Sequence, residues 1–246
     1  MPSQSPVLLA VFAHPDDESF RPGGTLALLA GHGVQVQVLT ATRGEAGSCG
    51  DPPLCRPHEL AGVREQELRC ACDALGIAPP ILLDYRDGEL ATVDEDEGAT
   101  RVGAVMRQVR PDVLLTWPPD GLSGHPDHIA VSRWTVLAFQ QATAPGRDGP
   151  RLLYYMAVPA SLQQALGLNQ LSAIDDAAIT LAVDVLPVWE RKLAAIRCHR
   201  TQLGQSPILA ADPERQRRFL GQEHFRRAAG DEADDWLAAL LGEAYG

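Results

Sequence analysis

The 246-residue sequence predicts a three-layer α/β/α domain around a mostly parallel sheet. Short continuous apolar runs, of which Val7-Leu8-Leu9-Ala10-Val11-Phe12 is the first, have the pattern of strands buried on both faces, as parallel sheets require. Helical stretches alternate with these runs. The most highly charged motifs begin where two of the runs end, and open α/β sheets bind ligands outside the carboxyl ends of their strands.

Residues 1–6 lack the charged start and apolar centre of a signal peptide, which makes the cytoplasm the default location. Val7 to Phe12 is the first strand. It delivers His14, and Pro15 restricts His14 to extended conformations. Gly23-Gly24 opens an apolar helix, Thr25 to Ala30, that stops at Gly31-His32-Gly33, with His32 as a C-terminal cap. The second strand, Val34 to Thr40, completes a βαβ unit of Rossmann-like topology. No GxGxxG follows the first strand, so nicotinamide binding loses its main support.

The Gly- and Pro-rich stretch from Thr42 to Pro57 suits a mobile rim over a site. A helix from about His58 to Leu75 ends at Gly76. Ile81 to Leu83 is the third strand, followed by a turn at Asp84-Tyr85-Arg86-Asp87-Gly88. The run Asp94-Glu95-Asp96-Glu97 reads as charge that complements the dipole of a helix reaching Val109. Asp112 to Thr116 is the fourth strand, and Trp117 in the next loop is expected to be a pocket wall. A helix from His125 to Ala142, a loop over 144–150 and a fifth strand, Leu152 to Val158, follow. A sixth strand at Ile179 to Val185 leads to a helix carrying Lys192, His199 and Gln202. His199 could approach the site, but as a lone histidine at a helix end it is expected to be solvated; His224 is expected to be superficial, and 230–246 to be the last helix. No composition shift marks a boundary, so residues 1–246 read as one domain.

The hydrophobic fraction of 45% suffices for a core, and 21 basic against 32 acidic residues give a net charge of −11. With no basic patch or stripe, nucleic acid is excluded as a partner. No apolar run is long enough to cross a bilayer. Homo-oligomerisation stays open. Five cysteines, an odd number in a chain of ordinary size, argue against a disulfide framework, and Cys49, Cys55 and His58 match no structural zinc pattern.

Chemistry concentrates in Ala13-His14-Pro15-Asp16-Asp17-Glu18 and Gly124-His125-Pro126-Asp127-His128, where four of eleven positions are carboxylates and three are imidazoles. Pro126 suits a first helical turn and places His125 and His128 on one face. His14, one carboxylate and one of these histidines would bind a metal through two imidazoles and a carboxylate, leaving a position open for water.

These two blocks, with Thr42-Arg43-Gly44-Glu45-Ala46-Gly47, Val63-Arg64-Glu65-Gln66-Glu67-Leu68, Tyr85-Arg86-Asp87-Gly88, Lys192 and His199-Arg200-Thr201-Gln202, resemble the LmbE-like, or PIG-L, family of metal-dependent N-deacetylases over most of the chain. The resemblance implies an LmbE-like fold, with His14, Asp17 and His128 as ligands of Zn2+ and Fe2+ as the alternative ion. It implies Asp16 as general base, His125 opposite the carbonyl oxygen as an imidazolium, and Asp127 orienting the His125 ring. It also implies that Arg64 faces the substrate or leaving acetate, unless it forms an ordinary surface ion pair. Asp87 would touch substrate hydroxyls or serve its own turn. Glu45 would face the substrate or be a solvated loop carboxylate. The implied substrate is a small N-acetyl sugar conjugate, with the N-acetylglucosaminyl malate precursor of bacillithiol as first expectation. A mycothiol-conjugate-type amidase and a non-catalytic Rossmann-like module are the alternatives.

Overall fold

A computed structural model describes residues 5–144, 149–205 and 208–241. Its elements in chain order are β1 (Val7–Phe12), α1 (Asp17–Phe20), α2 (Gly23–Gly31), β2 (Gln35–Thr42), α3 (Leu60–Leu75), β3 (Ile81–Tyr85), α4 (Glu95–Val109), β4 (Val113–Thr116), α5 (Pro126–Ala142), β5 (Leu152–Ala157), α6 (Ala160–Leu166), β6 (Leu181–Asp184), α7 (Trp189–Cys198), α8 (Pro213–Leu220), β7 (Gln222–Ala229) and α9 (Trp236–Leu241). The expected loop over 144–150 and last helix over 230–246 fall partly outside the described residues, as does the N-terminal stretch.

The sheet order is β3-β2-β1-β4-β5-β7-β6. β1 to β5 run parallel, while β7 is antiparallel to both its neighbours. From β1 the chain builds outward through β2 and β3, then returns to place β4 on β1's other side, with Leu8 against Val113 and Ala10 against Leu115. That reversal makes the β1/β4 crevice the switch point, where ligands of such sheets bind. Residues 8–12 of β1 and all four of β4 are buried, so the two strands that deliver the histidine motifs sit in the middle of the core. Among the described residues, no helix is long and apolar enough to cross a membrane.

The mostly parallel three-layer architecture agrees with the sequence, and the six predicted strands are present. β7 is the addition. Its sequence, Gln-Glu-His-Phe-Arg-Arg-Ala-Ala, has no apolar run, because its inward positions include polar groups with assigned partners. The buried Glu223 carboxylate accepts the N–H groups of Gly24 (2.8 Å) and Thr25 (2.7 Å), at the start of α2, and pairs with the fully buried Lys192 ammonium at 2.6 Å. His224 is buried, not superficial. α7 ends at Cys198, and the side chain of His199 is wholly buried, not solvated. Cys70 and Cys198 form a disulfide between α3 and the end of α7, with Cα atoms 5.8 Å apart. An odd cysteine count argues against a framework but is blind to one bridge between residues 128 apart.

Removing Glu223 strands a buried ammonium and two helix N–H groups. Glu223→Ala should therefore cost about 3–5 kcal/mol of stability, read from the urea midpoint. Burial, reinforced by the Arg21 charge, lowers the His224 pKa to about 4. The folded value lies below the ordinary one near 6.5, so the contribution of neutral His224 is complete above about pH 6.5 and is lost as pH falls toward 4. Between pH 7 and 5, His224→Gln should flatten the fall in unfolding free energy by up to about 2 kcal/mol.

Candidate active site

Both histidine motifs open onto one cavity of about 370 Å³, within the range of small-molecule sites. Of the nine residues singled out by sequence, seven line it: His14, Asp16, Asp17, Arg64, Asp87, His125 and His128. Ala46, Gly47, Gly88 and Gln202 complete the wall. Gln202 lies in a turn just past α7, its amide donating to Ser48 O at 2.8 Å. Only the His-Arg-Thr-Gln block pointed toward it.

Asp17 opens α1 and turns its carboxylate back on β1, where Oδ2 accepts the N–H groups of Ala13 (3.1 Å) and His14 (3.0 Å). Its Oδ1 lies 3.5 Å from His128 Nε2. Burial alone would raise the Asp17 pKa. The His128 and His14 imidazoles and the His14 N–H outweigh it and hold the carboxyl well below its usual range.

The histidine tautomers follow from their outer partners. His128 Nδ1 faces Gly121 O at 3.2 Å, a contact that only an N–H can satisfy, so Nε2 keeps its lone pair. His14 Nε2 faces Asp87 Oδ1 at 3.1 Å and Asp127 Oδ2 at 3.2 Å and is the donor there, which leaves Nδ1 as the inward atom. His14 Nδ1 and His128 Nε2 then stand 3.3 Å apart with Asp17 beside them. Two lone pairs at that distance repel unless a proton or a metal ion lies between them. Tetrahedral arms of about 2.0–2.1 Å give an N···N edge of about 3.3 Å, so the donor set and its spacing fit a divalent cation. Without one, a proton supplies the charge. Burial lowers the His14 pKa, but hydrogen bonds to Asp127 and Asp87 and the Asp17 charge overcome it and raise it to about 10.

The side-chain atoms of His14, Asp17 and His128 lie within 4.8 Å of one another, as do those of His14, His125 and Asp127. Among the described residues these are the two clusters with metal-ligand spacing. Neither contains Cys49, Cys55 or His58. Trp117 does not line the cavity: it is buried, its ring stacked on the His128 imidazole at 3.8 Å and 7°.

His125 caps α5, and its Nδ1 accepts the Asp127 N–H at 3.2 Å. The Asp127 carboxylate does not orient that ring. It is fully buried and accepts the N–H groups of Gly88 (2.8 Å) and Leu90 (3.1 Å) as well as His14 Nε2, because its place in the first turn of α5 faces the loop after β3. It therefore orients His14. Burial and the nearby His128 and His14 imidazoles lower the His125 pKa, which favours the neutral ring over the imidazolium.

Asp87 divides its carboxylate between His14 and the Ala46 N–H, at 3.0 Å. Glu45 is absent from the cavity wall. Its Oε1 accepts the Asp87 N–H at 3.0 Å, and its Oε2 is buried without a partner among the described residues, so it braces the turn carrying Asp87. Arg64 is 4% exposed and is no surface pair. It donates to Gly44 O (2.9 Å) and Pro15 O and lies 3.3 Å from Asp16 Oδ2. Gly44 sits at φ 70°, and any Cβ there would come within 2.3 Å of the guanidinium. Asp16 has φ 109°, a region L residues rarely adopt, and its side chain makes no helix-capping bond. Burial, opposed by the Arg64 charge, raises its pKa to about 6.

Comparison with known proteins matches this arrangement to relatives in both sequence and fold. The 1D-myo-inositol 2-acetamido-2-deoxy-alpha-D-glucopyranoside deacetylase of Acidothermus cellulolyticus is 34% identical, covering 89% of this chain and 87% of that protein. The N,N'-diacetylchitobiose deacetylase of Pyrococcus horikoshii superposes with a TM-score of 0.70 at 21% identity, over 92% of this chain and 85% of that one. GalB, the 4-carboxy-2-hydroxymuconate hydratase of Pseudomonas putida KT2440, superposes with a TM-score of 0.67 at 20% identity, over 92% and 97%. At those identities the two structures speak for the fold alone. Residues 9–139 match the family described as PIG-L, GlcNAc-PI de-N-acetylase, and the chain belongs to that family.

Proposed function

We propose that the protein removes the N-acetyl group from an N-acetylglucosamine conjugate whose aglycone is inositol, with His14, Asp17 and His128 holding zinc. The observation that carries this reading is the pair of inward-facing nitrogens, His14 Nδ1 and His128 Nε2, 3.3 Å apart in a cavity also lined by the carboxylate of Asp16, which makes no helix-capping bond. The relative's name for the inositol conjugate, at 34% identity, moves the proposed aglycone from malate to inositol.

When bound, a divalent cation supplies a Lewis acid for the amide carbonyl and acidifies water toward neutrality. Asp16, with its pKa near 6, is ionised at neutral pH and suited to take a proton from that water and later to deliver it to the leaving amine. Arg64 holds Asp16 in place through its 3.3 Å contact and balances its charge. The Asp127 N–H fixes the His125 tautomer by occupying Nδ1, so Nε2 carries the proton. His125 thereby serves as a neutral hydrogen-bond donor to the oxyanion that develops as the carbonyl is attacked. Asp87 and Asp127 hold His14 in its metal-facing tautomer, the usual task of carboxylates behind a ligating histidine.

The test is amine release from N-acetylglucosaminyl inositol and N-acetylglucosaminyl malate, before and after chelation and with zinc or iron(II) added back. Chelator-sensitive release that returns with zinc and favours inositol by tenfold or more in kcat/KM is the expected outcome. A preference for malate would restore the other conjugate, and stoichiometric metal with no release from either would sink the deacetylase reading. Asp16→Asn should lower kcat by about 10²–10⁴-fold with metal content unchanged. His14→Ala and His128→Ala should lose metal as well, and equal metal loss in all three variants would remove Asp16 from the role of base.

A further inference from the structure

The base assigned above stands on a strained residue, and the strain is held by groups outside the cavity. Asp16 is the N-cap of α1 at φ 109°, ψ −26°. A carboxylate at an N-cap ordinarily folds onto the helix's first N–H groups. This one does not, and it lines the cavity instead. Glu18 takes over the local bonding: its Oε2 accepts the Asp16 N–H at 3.0 Å, while Asp16 O accepts Ser19 N–H at 3.0 Å. The other Glu18 oxygen, Oε1, is 2.7 Å from His199 Nε2 and also accepts the Ser19 hydroxyl. Glu18, Ser19 and His199 are all fully buried.

His199 arrives from 181 residues further along the chain. Its segment is anchored by Thr201, whose N–H and hydroxyl both donate to the buried Glu67 carboxylate at 2.8 and 2.7 Å, and by the Cys70–Cys198 disulfide. Burying a carboxylate and an imidazole is costly unless each finds its partner. An apolar pair would fill this space without that cost but would leave the Asp16 N–H unbonded.

We infer that Glu18 and His199 are positioning residues for the hydrolytic reaction, a buried dyad that holds the Asp16 backbone in its strained conformation and keeps the Asp16 carboxylate turned into the cavity. Neither touches the cavity. The dyad acts through Asp16, so the inference rests on Asp16 as base.

The test combines steady-state kinetics, metal content and hydrogen exchange at the Asp16 amide in the full chain. His199→Ala should lower kcat about 10–100-fold, with KM within twofold and zinc content unchanged, and should speed Asp16 amide exchange at least tenfold. His199→Gln, which restores an N–H donor to Glu18, should recover kcat to within about fivefold of the original. A His199→Ala protein with kcat within twofold, with unchanged Asp16 exchange, or with metal loss and a rise in KM alongside the fall in kcat overturns the proposal. If His199→Ala does not fold, Ser19→Ala removes one of the Glu18 Oε1 partners and decides. A severalfold fall in kcat with faster exchange supports the dyad, and no change in either overturns it. Wild-type turnover in Asp16→Asn would instead defeat Asp16 as base, while the exchange measurement still reports whether the dyad holds it.

Discussion

His14 has two nitrogens with opposite duties, and the site depends on keeping them separate. Nε2 faces the carboxylates of Asp87 and Asp127, and Nδ1 faces His128 and Asp17. A neutral imidazole can donate from only one nitrogen, so the outer pair of carboxylates determines what the inner face can do. Those carboxylates are themselves fixed by three backbone N–H groups from two segments: Ala46 after β2, and Gly88 and Leu90 after β3. An imidazole just past the first strand is thus oriented by loops brought together only when the sheet is complete.

Charge balance follows from the same arrangement. Three carboxylates, Asp17, Asp87 and Asp127, surround one imidazole at low exposure, and the resulting negative potential raises the His14 pKa to about 10 against its burial. Asp16 is treated differently. Burial raises its pKa, Arg64 moderates the rise, and it makes no backbone capping bond. Adjacent carboxylates in sequence therefore have opposite fates, one held well below its usual range and the other near neutrality. Pairs of titratable groups whose surroundings push their pKa values apart are how a site divides acid and base work.

What could be read from sequence was whatever depends on neighbours in the chain. The buried character of β1 and β4, the helix starts at Asp94 and Pro126 and the stop at Gly76 are local patterns, and the structure has them. The seven cavity residues came from two motifs and a family resemblance, both of which report residue type and spacing. The partners of buried polar groups were not legible. Nothing in Gln222–Ala229 says that Glu223 will meet Lys192, or that β7 will slot between β5 and β6. The family resemblance pairs Asp127 with His125, whereas the fold brings the Asp127 carboxylate against His14 from 113 residues away. For a lone histidine at a helix end, residue type favours solvent over an approach to the site, and nothing near His199 in the chain names its partner, a carboxylate 181 residues away.

Fold likeness alone leaves the reaction undetermined, since a hydratase and a deacetylase superpose on this chain about equally well. The residues that narrow the choice are those a mere cation holder would not need. Three ligands suffice to retain a metal, yet the protein also maintains a left-handed aspartate, a buried arginine 3.3 Å from its carboxylate, and a neutral histidine whose tautomer is set by a backbone N–H. Each of these carries a cost in strain or desolvation that packing alone would have removed. All three face one cavity, whose wall carries the Asp16 carboxylate and the His125 imidazole together. That combination suits a reaction in which a water is deprotonated while an oxyanion forms, which is what amide hydrolysis requires.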